Sequence, residues 1–399
     1  MASASKQRPG PSTLESVAIQ SAPCHNNGFN SDAGKLRGGK AGQARWRRRL
    51  TQTLYGLSMD ILQKALDEAV AELARSATSE EELDALAEVA PERIPELLSI
   101  LPGQILASIQ EKAREGLKER RTHHAEFVER NISRWQEGID QLELLIEIAI
   151  EAGESFNTRL RPGAVEKDDL LFDVIVRLHA KGCLISKEVL ALLKNGYADG
   201  AHARWRAIHE LSVTAMFLAK HGSDAVSSYT DFELVEAYKG ATQLNRYESR
   251  INVCGFSEDE MREFKSQYDT VIDKHGADFG KPYGWARKFL SKGRPTFFAL
   301  EEDVGLDHWR PYYKWASQNI HANIKAIRYS LGLCEAVEDI LQVGPSNSGM
   351  TDPAHSTAIS LAQLTSTTLF LSPNLDDLVT AEVLLELSDQ VGEAFIGSN

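Results

Sequence analysis

The residues best suited to chemistry are four polar side chains that begin one helix: Arg204, Arg206, His209 and Glu210. An imidazole that titrates near neutral pH suits proton transfer, and a guanidinium suits phosphate or carboxylate oxygens. Almost every residue from 211 to 219 is apolar or small, so the helix has no polar face there and should lie inside the fold. The four polar residues therefore start a buried helix.

The helical repeat divides these side chains between two sides of the helix. At about 100° per residue, Arg204 falls on the side of Ile208, where a lone charge is costly without a partner. Arg206, His209 and Glu210 share the other side, and their spacings of three and four residues allow contact with Arg206. Two interpretations stay open: a buried ion-pair network that fixes helix packing, or a functional pocket.

A second unusual helix is predicted over residues 308–341. Tyr313, Ser317 and His321 follow one another at i, i+4 and i+8, so two hydroxyls and an imidazole would line one inward-facing stripe. A single histidine on an apolar face is usually a hydrogen-bonded core residue, but this spacing supplies polar neighbours. If the helix packs on the first, Arg204, His209, Glu210, Ser317 and His321 could converge.

Three segments resemble a bacterial family of unknown function, DUF5677. They are GYADGAHARWRAIHE at 196–210, YGWA at 283–286 and YYKWASQNIHA at 312–322. The resemblance covers roughly residues 165–345, and its most specific part is the long helix. It implies a helical domain with no established activity, and so it supplies candidate positions rather than a mechanism.

Arg204 and His209 also resemble, more weakly, the Arg, four to six residues, His pattern of helical nucleotide-binding and ribonuclease domains. The common ribonuclease version has a polar residue after the arginine, whereas this chain has Trp205. The resemblance implies a metal-independent endoribonuclease of toxin or defence type. His209 or His321 would be its general base or acid, and Arg204 or Arg206 would stabilise charge on the phosphate.

The competing hypothesis is a non-catalytic helical module that fixes packing or binds a protein or small ligand. Its binding residues would be Arg206, Glu210, Tyr313 and Ser317. The net charge of −13 counts against general RNA binding, although the basic N-terminal segment keeps RNA among the candidate partners. Whether the two polar helices meet around an open cleft would separate the hypotheses.

Length and composition predict an all-α fold, a multi-helix bundle with an N-terminal long-helix arm. At 399 residues and 42% hydrophobic content, the chain can bury a sizeable core. Its prolines and glycines cluster between long Ala/Leu/Glu-rich runs, and no series of alternating strands is recognisable. The segment 278–300 is loop-rich and could cover a site or be a packed connector.

Four regions are predicted from composition and charge. Residues 1–50 carry nine Lys or Arg and two acids, a balance of +7, so the remainder carries −20. After Arg328 there is no Lys or Arg, while ten Asp or Glu follow. The regions are a disordered basic arm (1–44), an N-terminal helical region (45–160), a core helical domain (161–345) and C-terminal acidic helices (346–399).

A heptad seam is predicted over residues 125–149, where apolar residues repeat at alternating spacings of three and four. The seam could join two chains in a homodimer. It could equally pack against a helix of the same chain around residues 50–61. The seam residues are Ala125, Val128, Ile132, Trp135, Ile139, Leu142, Ile146 and Ala149.

We expect neither a metal site nor a cofactor. The GxxxxGK segment at 34–40 is followed by Ala41 instead of the Ser or Thr that would hold magnesium, and Val213 occupies the second ligand position of an HExxH pattern. The scattered cysteines fit a reducing compartment. No apolar run reaches the ~18 residues that span a bilayer, so the sequence predicts a cytoplasmic protein without membrane contact.

Overall fold

A computed structural model of the chain describes residues 80–291 and 293–398. Within these residues the secondary structure consists of α-helices and short 3-10 turns without any strand, which confirms the all-α, multi-helix prediction. The basic arm 1–44, the GxxxxGK segment and the helix expected around 50–61 lie outside the described residues. The described helices are α1 (Glu80–Arg134), α2 (Gln136–Glu166), α3 (Leu170–Lys194), α4 (Ala198–His221), α5 (Ser223–Ile251), α6 (Glu258–His275), α7 (Phe297–Val304), α8 (Arg310–Ile320), α9 (Ile324–Arg328), α10 (Thr351–Leu369) and α11 (Leu375–Gly397).

The chain divides into two compact units, residues 1–123 and 124–399. The described part of the first unit is the α1 segment 80–123. The second unit contains the end of α1 and all of α2 to α11. The boundaries predicted at 44, 160 and 345 stay a prediction. Within the second unit, α10 packs against α2, α3 and α4, and α11 packs against α2 and α10.

Several helices in the second unit begin at side chains that accept backbone N–H groups. Asp169 accepts the N–H of Phe172 at the start of α3, and Ser257 forms a capping box with Glu260 at the start of α6. Helix α3 continues through Gly182 without a break. Gly182 is not a helix end: a Cβ there would lie 2.4 Å from Cδ2 of Leu364, so the glycine permits close packing.

Helix α10 lies at the centre of the second unit and packs against α2, α3, α4 and α11. Nearly all of its side chains are buried, and many are small or hydroxylated. Buried hydroxyls such as those of Thr357 and Thr368 donate to the backbone carbonyls four residues earlier, which satisfies them within their own helix. Helix α4 packs on α10 from one side and contacts α7 and α8 from the other.

The C-terminal half of the heptad seam is part of this core. Helices α1 and α2 meet at Trp135, whose ring stacks on Phe395 of α11 at a centroid distance of 5.6 Å. Ile139, Leu142 and Ile146 are buried against the same cluster. Ala125, at the N-terminal end of the seam, is exposed. Side chains of the same chain therefore cover the seam from Trp135 onward.

The prediction of one continuous helix over residues 308–341 is wrong, because the chain forms separate, shorter helices there. Helix α8 ends at Ile320, Ala322 has a left-handed backbone conformation with φ of 45°, and Asn323 caps the short helix α9. Further on, the Asp199 carboxylate accepts the backbone N–H groups of Leu331 and Gly332 and holds a 3-10 turn there. A carboxylate from α4 thus satisfies backbone groups that a continuous helix would have bonded internally.

No helix among the described residues is long and apolar enough to cross a membrane.

Candidate functional site

Three of the predicted residues meet at the interface of α4 and α8. Arg206 Nε donates to Glu210 Oε1 at 2.8 Å, which is the i,i+4 pair expected from the spacing. The Tyr313 hydroxyl donates to the same oxygen at 2.6 Å. The Arg206 guanidinium also lies over the Tyr313 ring, 4.7 Å from its centroid. One carboxylate oxygen therefore joins a guanidinium and a phenol.

His209 faces α7 and α8 through a second carboxylate. Its Nε2 lies 2.9 Å from Glu301 Oε1, and both side chains are buried, with 1% and 0% of their surface exposed. Arg310 Nη1 donates to the other oxygen, Oε2, at 2.7 Å. Glu301 thus bridges an imidazole from α4 and a guanidinium from α8. Burial of this carboxylate is tolerable because both oxygens have partners.

The two carboxylate pairs form one cluster around Tyr313. Arg310 lies 5.0 Å from the centroid of the Tyr313 ring, and the His209 ring lies 5.8 Å from it. Phe297 packs against the rings of both Tyr313 and His209. We call this set the Arg/Glu cluster: Arg206, His209, Glu210, Glu301, Arg310 and Tyr313.

The environment of the cluster favours the charged form of its arginine and the neutral form of its phenol. Burial raises the pKa of Tyr313, and its hydrogen bond to Glu210 raises it further. Burial alone would lower the pKa of Arg206, but the charge of Glu210 and the Tyr313 hydroxyl raise it above its ordinary value. The Arg206–Glu210 and Arg310–Glu301 ion pairs both belong to this cluster.

The YGWA segment places a second tyrosine beside the cluster. Burial raises the pKa of Tyr283, and the charge of Glu210 adds to this effect. Tyr283 has a left-handed backbone conformation with φ of 56°, and a Cβ on Gly284 would lie 2.1 Å from the carbonyl oxygen of Phe279. Trp285 is buried. The segment is therefore a packed connector, with Tyr283 at the edge of the cluster.

The other predicted site residues do not join the cluster. Arg204 pairs with Glu188 of α3, which supplies the partner that its position on the apolar side requires. The Ser317 hydroxyl donates to the backbone carbonyl of Tyr313, within its own helix. His321 follows the end of α8 and is exposed, because the helix that would have turned it inward stops before it. His321 is therefore not among the side chains that contact His209, and its catalytic role stays a prediction.

Glu301 and Arg310 are the cluster residues that the sequence analysis missed. Glu301 lies in FFALEEDV, where an acidic pair after an apolar run looks like an ordinary helix end. Arg310 precedes Pro311, a residue typical of a first helical turn. One local signal was available: Arg310 lies within one or two helical turns of the polar residues Tyr313 and Ser317.

A second buried histidine lies one turn before the cluster on the same helix. The His202 ring stacks on Trp205 at 5.4 Å and meets Trp315 edge to face at 5.2 Å. Neither of its nitrogens has a hydrogen-bond partner among the described residues. Burial lowers the pKa of His202 to about 3, so the ring is neutral at physiological pH.

The arrangement can orient an imidazole, present two guanidiniums and hold a buried carboxylate. In the described part of the chain, no group of three or more His, Cys, Asp or Glu side chains could hold a metal ion. The polar groups of the cluster are its arginines, carboxylates, imidazole and phenol.

Residues 172–339 match the family of unknown function DUF5677, which confirms the resemblance found in the sequence. No curated protein and no solved structure matches the chain. The matched range starts inside α3, ends beyond α9 and includes every residue of the Arg/Glu cluster. Over the range that carries the cluster, this chain is thus similar to a family whose function is unknown.

Proposed function

We propose that the chain is a non-catalytic helical binding module in which Arg206 and Arg310 recognise an anionic group, a phosphate or a carboxylate. One observation carries the proposal: two guanidiniums from different helices lie against the same tyrosine ring, at 4.7 and 5.0 Å from its centroid. The like charges of the two guanidiniums repel each other, and Glu210 and Glu301 offset that repulsion. A bound anion would offset it further.

The arginines keep donors for such an anion. Arg206 bonds Glu210 through Nε, and Arg310 bonds Glu301 through Nη1, whereas each guanidinium carries five N–H groups. The two side chains are 23% and 25% exposed. Each side chain is therefore held by an ion pair and is partly exposed to solvent. A planar fork that is already held in place loses little entropy when it binds a phosphate or carboxylate.

Binding fits the geometry better than catalysis does. A general acid or base must come within hydrogen-bond reach of its substrate. His209 is almost wholly buried and its Nε2 is engaged by Glu301, while His321 is exposed but lies outside the cluster. The arginines of the cluster could therefore bind an anion, whereas its histidine is not accessible to a substrate from solvent.

Calorimetric titration of the full-length protein with inorganic phosphate, and separately with acetate, tests the proposal. Arg206→Gln and Arg310→Gln should each weaken binding by about tenfold or more, because a hydrogen bond to a charged group contributes roughly 1.5–3 kcal/mol. Arg177→Gln is the matched control, since Arg177 is exposed and pairs with Asp173 on its own helix. Absence of wild-type binding, or equal weakening by Arg177→Gln, would refute the module.

A second candidate, the metal-independent endoribonuclease, is favoured by one observation. Glu301 engages Nε2 of His209, while Nδ1 has no hydrogen-bond partner among the described residues. A carboxylate that orients an imidazole in this way is typical of a general base. Under this candidate the wild type should cleave RNA without metal, and His209→Ala should abolish cleavage. A purified wild type that leaves varied RNA substrates intact would exclude it.

A further inference from the structure

Helix α11 is apolar on two opposite faces. Its inward face packs on α2 and α10 through residues that are fully or nearly buried. A helix with apolar residues all round is normally buried on all sides. Here the outward apolar residues are Leu375, Leu378, Val379 and Val383, which are 75%, 45%, 55% and 45% exposed.

These four residues form one continuous stripe. Their spacing of i, i+3, i+4 and i+8 places them within an arc of about 140° on the helix. Single exposed apolar residues are common on protein surfaces and need no explanation. Four of them on adjacent turns of one face are typical of an interaction surface. We call this stripe the α11 outer face.

The α11 outer face is held rigidly by the rest of the helix. Asn374 and Asp377 form a capping box at its first turn, and Arg159 of α2 pairs with Asp377. At the other end, Phe395 stacks on Trp135. The face is therefore preformed, so a partner would not have to order it on binding.

Acidic residues continue the same side of the helix. Glu382, Glu386 and Glu393 fall in the angular range of the apolar stripe and are exposed. The chain has no Lys or Arg after Arg328 that could neutralise them locally. The outer side of α11 is thus mainly apolar from Leu375 to Val383, and exposed glutamates lie on it from Glu382 to Glu393.

We propose that the α11 outer face docks a basic amphipathic helix of a partner protein. Leucine or similar apolar side chains of that helix would pack on the apolar residues of α11, and its Lys or Arg residues would pair with the glutamates. A second copy of α11 fits less well, because antiparallel pairing would set the apolar turns of each copy against acidic turns of the other. An anionic membrane surface would repel the glutamates.

Fluorescence anisotropy with the full-length protein tests this inference. The probe is a labelled amphipathic peptide of Leu and Lys, about 18 residues long, which is enough for five helical turns. The control peptide has Glu in place of every Lys. The wild type should bind the basic peptide and not the acidic one. Failure to bind the basic peptide, or equal binding of both, would overturn the proposal.

Variants locate the binding on the α11 outer face. Leu378→Ser with Val379→Ser should weaken peptide binding by about tenfold or more, because two anchors lose their buried area. Ile251→Ser is the control, since Ile251 is 54% exposed on α5. Glu382→Lys with Glu386→Lys should shift preference to the acidic peptide. Circular dichroism checks that each variant is folded.

Three results would assign the face differently. Equal losses in the control and the serine variants would place the peptide elsewhere. Concentration-dependent dimerisation that the serine variants abolish would make a second copy the occupant. Binding to phosphatidylglycerol vesicles that the serine variants abolish would make it a membrane contact. Each of these results would overturn the partner-helix proposal, and none depends on the Arg/Glu cluster.

Discussion

Glu301 Oε1 lies 2.9 Å from His209 Nε2, and neither side chain reaches solvent to a meaningful extent. An ionised carboxylate in such a place is costly unless charges and donors surround it. His209 from α4 and Arg310 from α8 supply those donors. The Glu301 carboxylate therefore ties three helices together, and the half-buried Arg310 is held in position by a buried residue.

Glu301→Ala should lower the free energy of unfolding by roughly 3–5 kcal/mol, because it leaves two buried or half-buried donors without their carboxylate. The neighbouring Glu302→Ala is the matched control, since Glu302 lies on the same helix and is exposed. Urea unfolding followed by circular dichroism measures both. Similar midpoints for the two variants would mean that the Glu301 pairs contribute little to the fold.

The two histidines that the sequence singled out should respond differently to alanine substitution. His209→Ala removes a buried ring and a partner of Glu301, so the free energy of unfolding should fall by roughly 3 kcal/mol. His321→Ala should change it by less than about 0.5 kcal/mol, because His321 is exposed. Thermal denaturation compares them. A large loss from His321→Ala would contradict the observed end of α8.

Local sequence signals made most of the fold predictable. They also made the Arg206–Glu210 pair of the cluster predictable. Helix ends at Asp169 and Ser257 are set by residues a few positions away, and Arg206 and Glu210 lie one turn apart on a single helix. Glu301 joins His209 across 92 positions of sequence, so that contact depends on how α7 packs.

The end of α8 was mispredicted for a reason that is visible in the sequence. No glycine or proline lies near His321, so the apolar repeat predicts a helix that continues past this residue. Asn323 was the available signal, because asparagine favours the cap position that it occupies before α9. The Leu331 backbone N–H donates to Asp199, which lies on a helix distant in sequence, so this contact has no local sequence signal.

Leu142→Glu should unfold the second unit, because Leu142 is buried in the core of its own chain. Leu144→Glu, at a position 51% exposed on the same helix, should leave it folded. Circular dichroism with light scattering distinguishes the outcomes. A homodimer through residues 125–149 stays a prediction, and conversion of a wild-type dimer into a folded Leu142→Glu monomer would support it against core packing.

Acid should destabilise the protein partly through His202. In the unfolded state its pKa is about 6.5, whereas burial holds the folded-state pKa at about 3. The unfolded chain therefore binds more protons between these values, so stability falls as pH decreases from 6.5 toward 3. One such group contributes a slope of up to about 1.4 kcal/mol per pH unit.

The slope can be assigned with His202→Phe, which keeps an aromatic ring against Trp205 but cannot titrate. Urea unfolding at pH values between 4 and 7 should show a shallower loss of stability for this variant. Part of the slope should persist, because burial also lowers the pKa of His179 and of His355 to about 4. Identical slopes for the variant and the wild type would show that folding does not lower the pKa of His202.

The most direct test of the central claim is NMR of isotope-labelled arginine side chains during titration with inorganic phosphate. Arg206 and Arg310 lie against one tyrosine ring, so a phosphate bound between them should shift both Nε–Hε resonances along one saturable curve. Arg177, exposed and paired on its own helix, should not follow that curve. Shifts confined to Arg206 and Arg310 are the result that we predict. Resonances that stay in place, or that move uniformly for all arginines with ionic strength, would contradict an anion site in the Arg/Glu cluster.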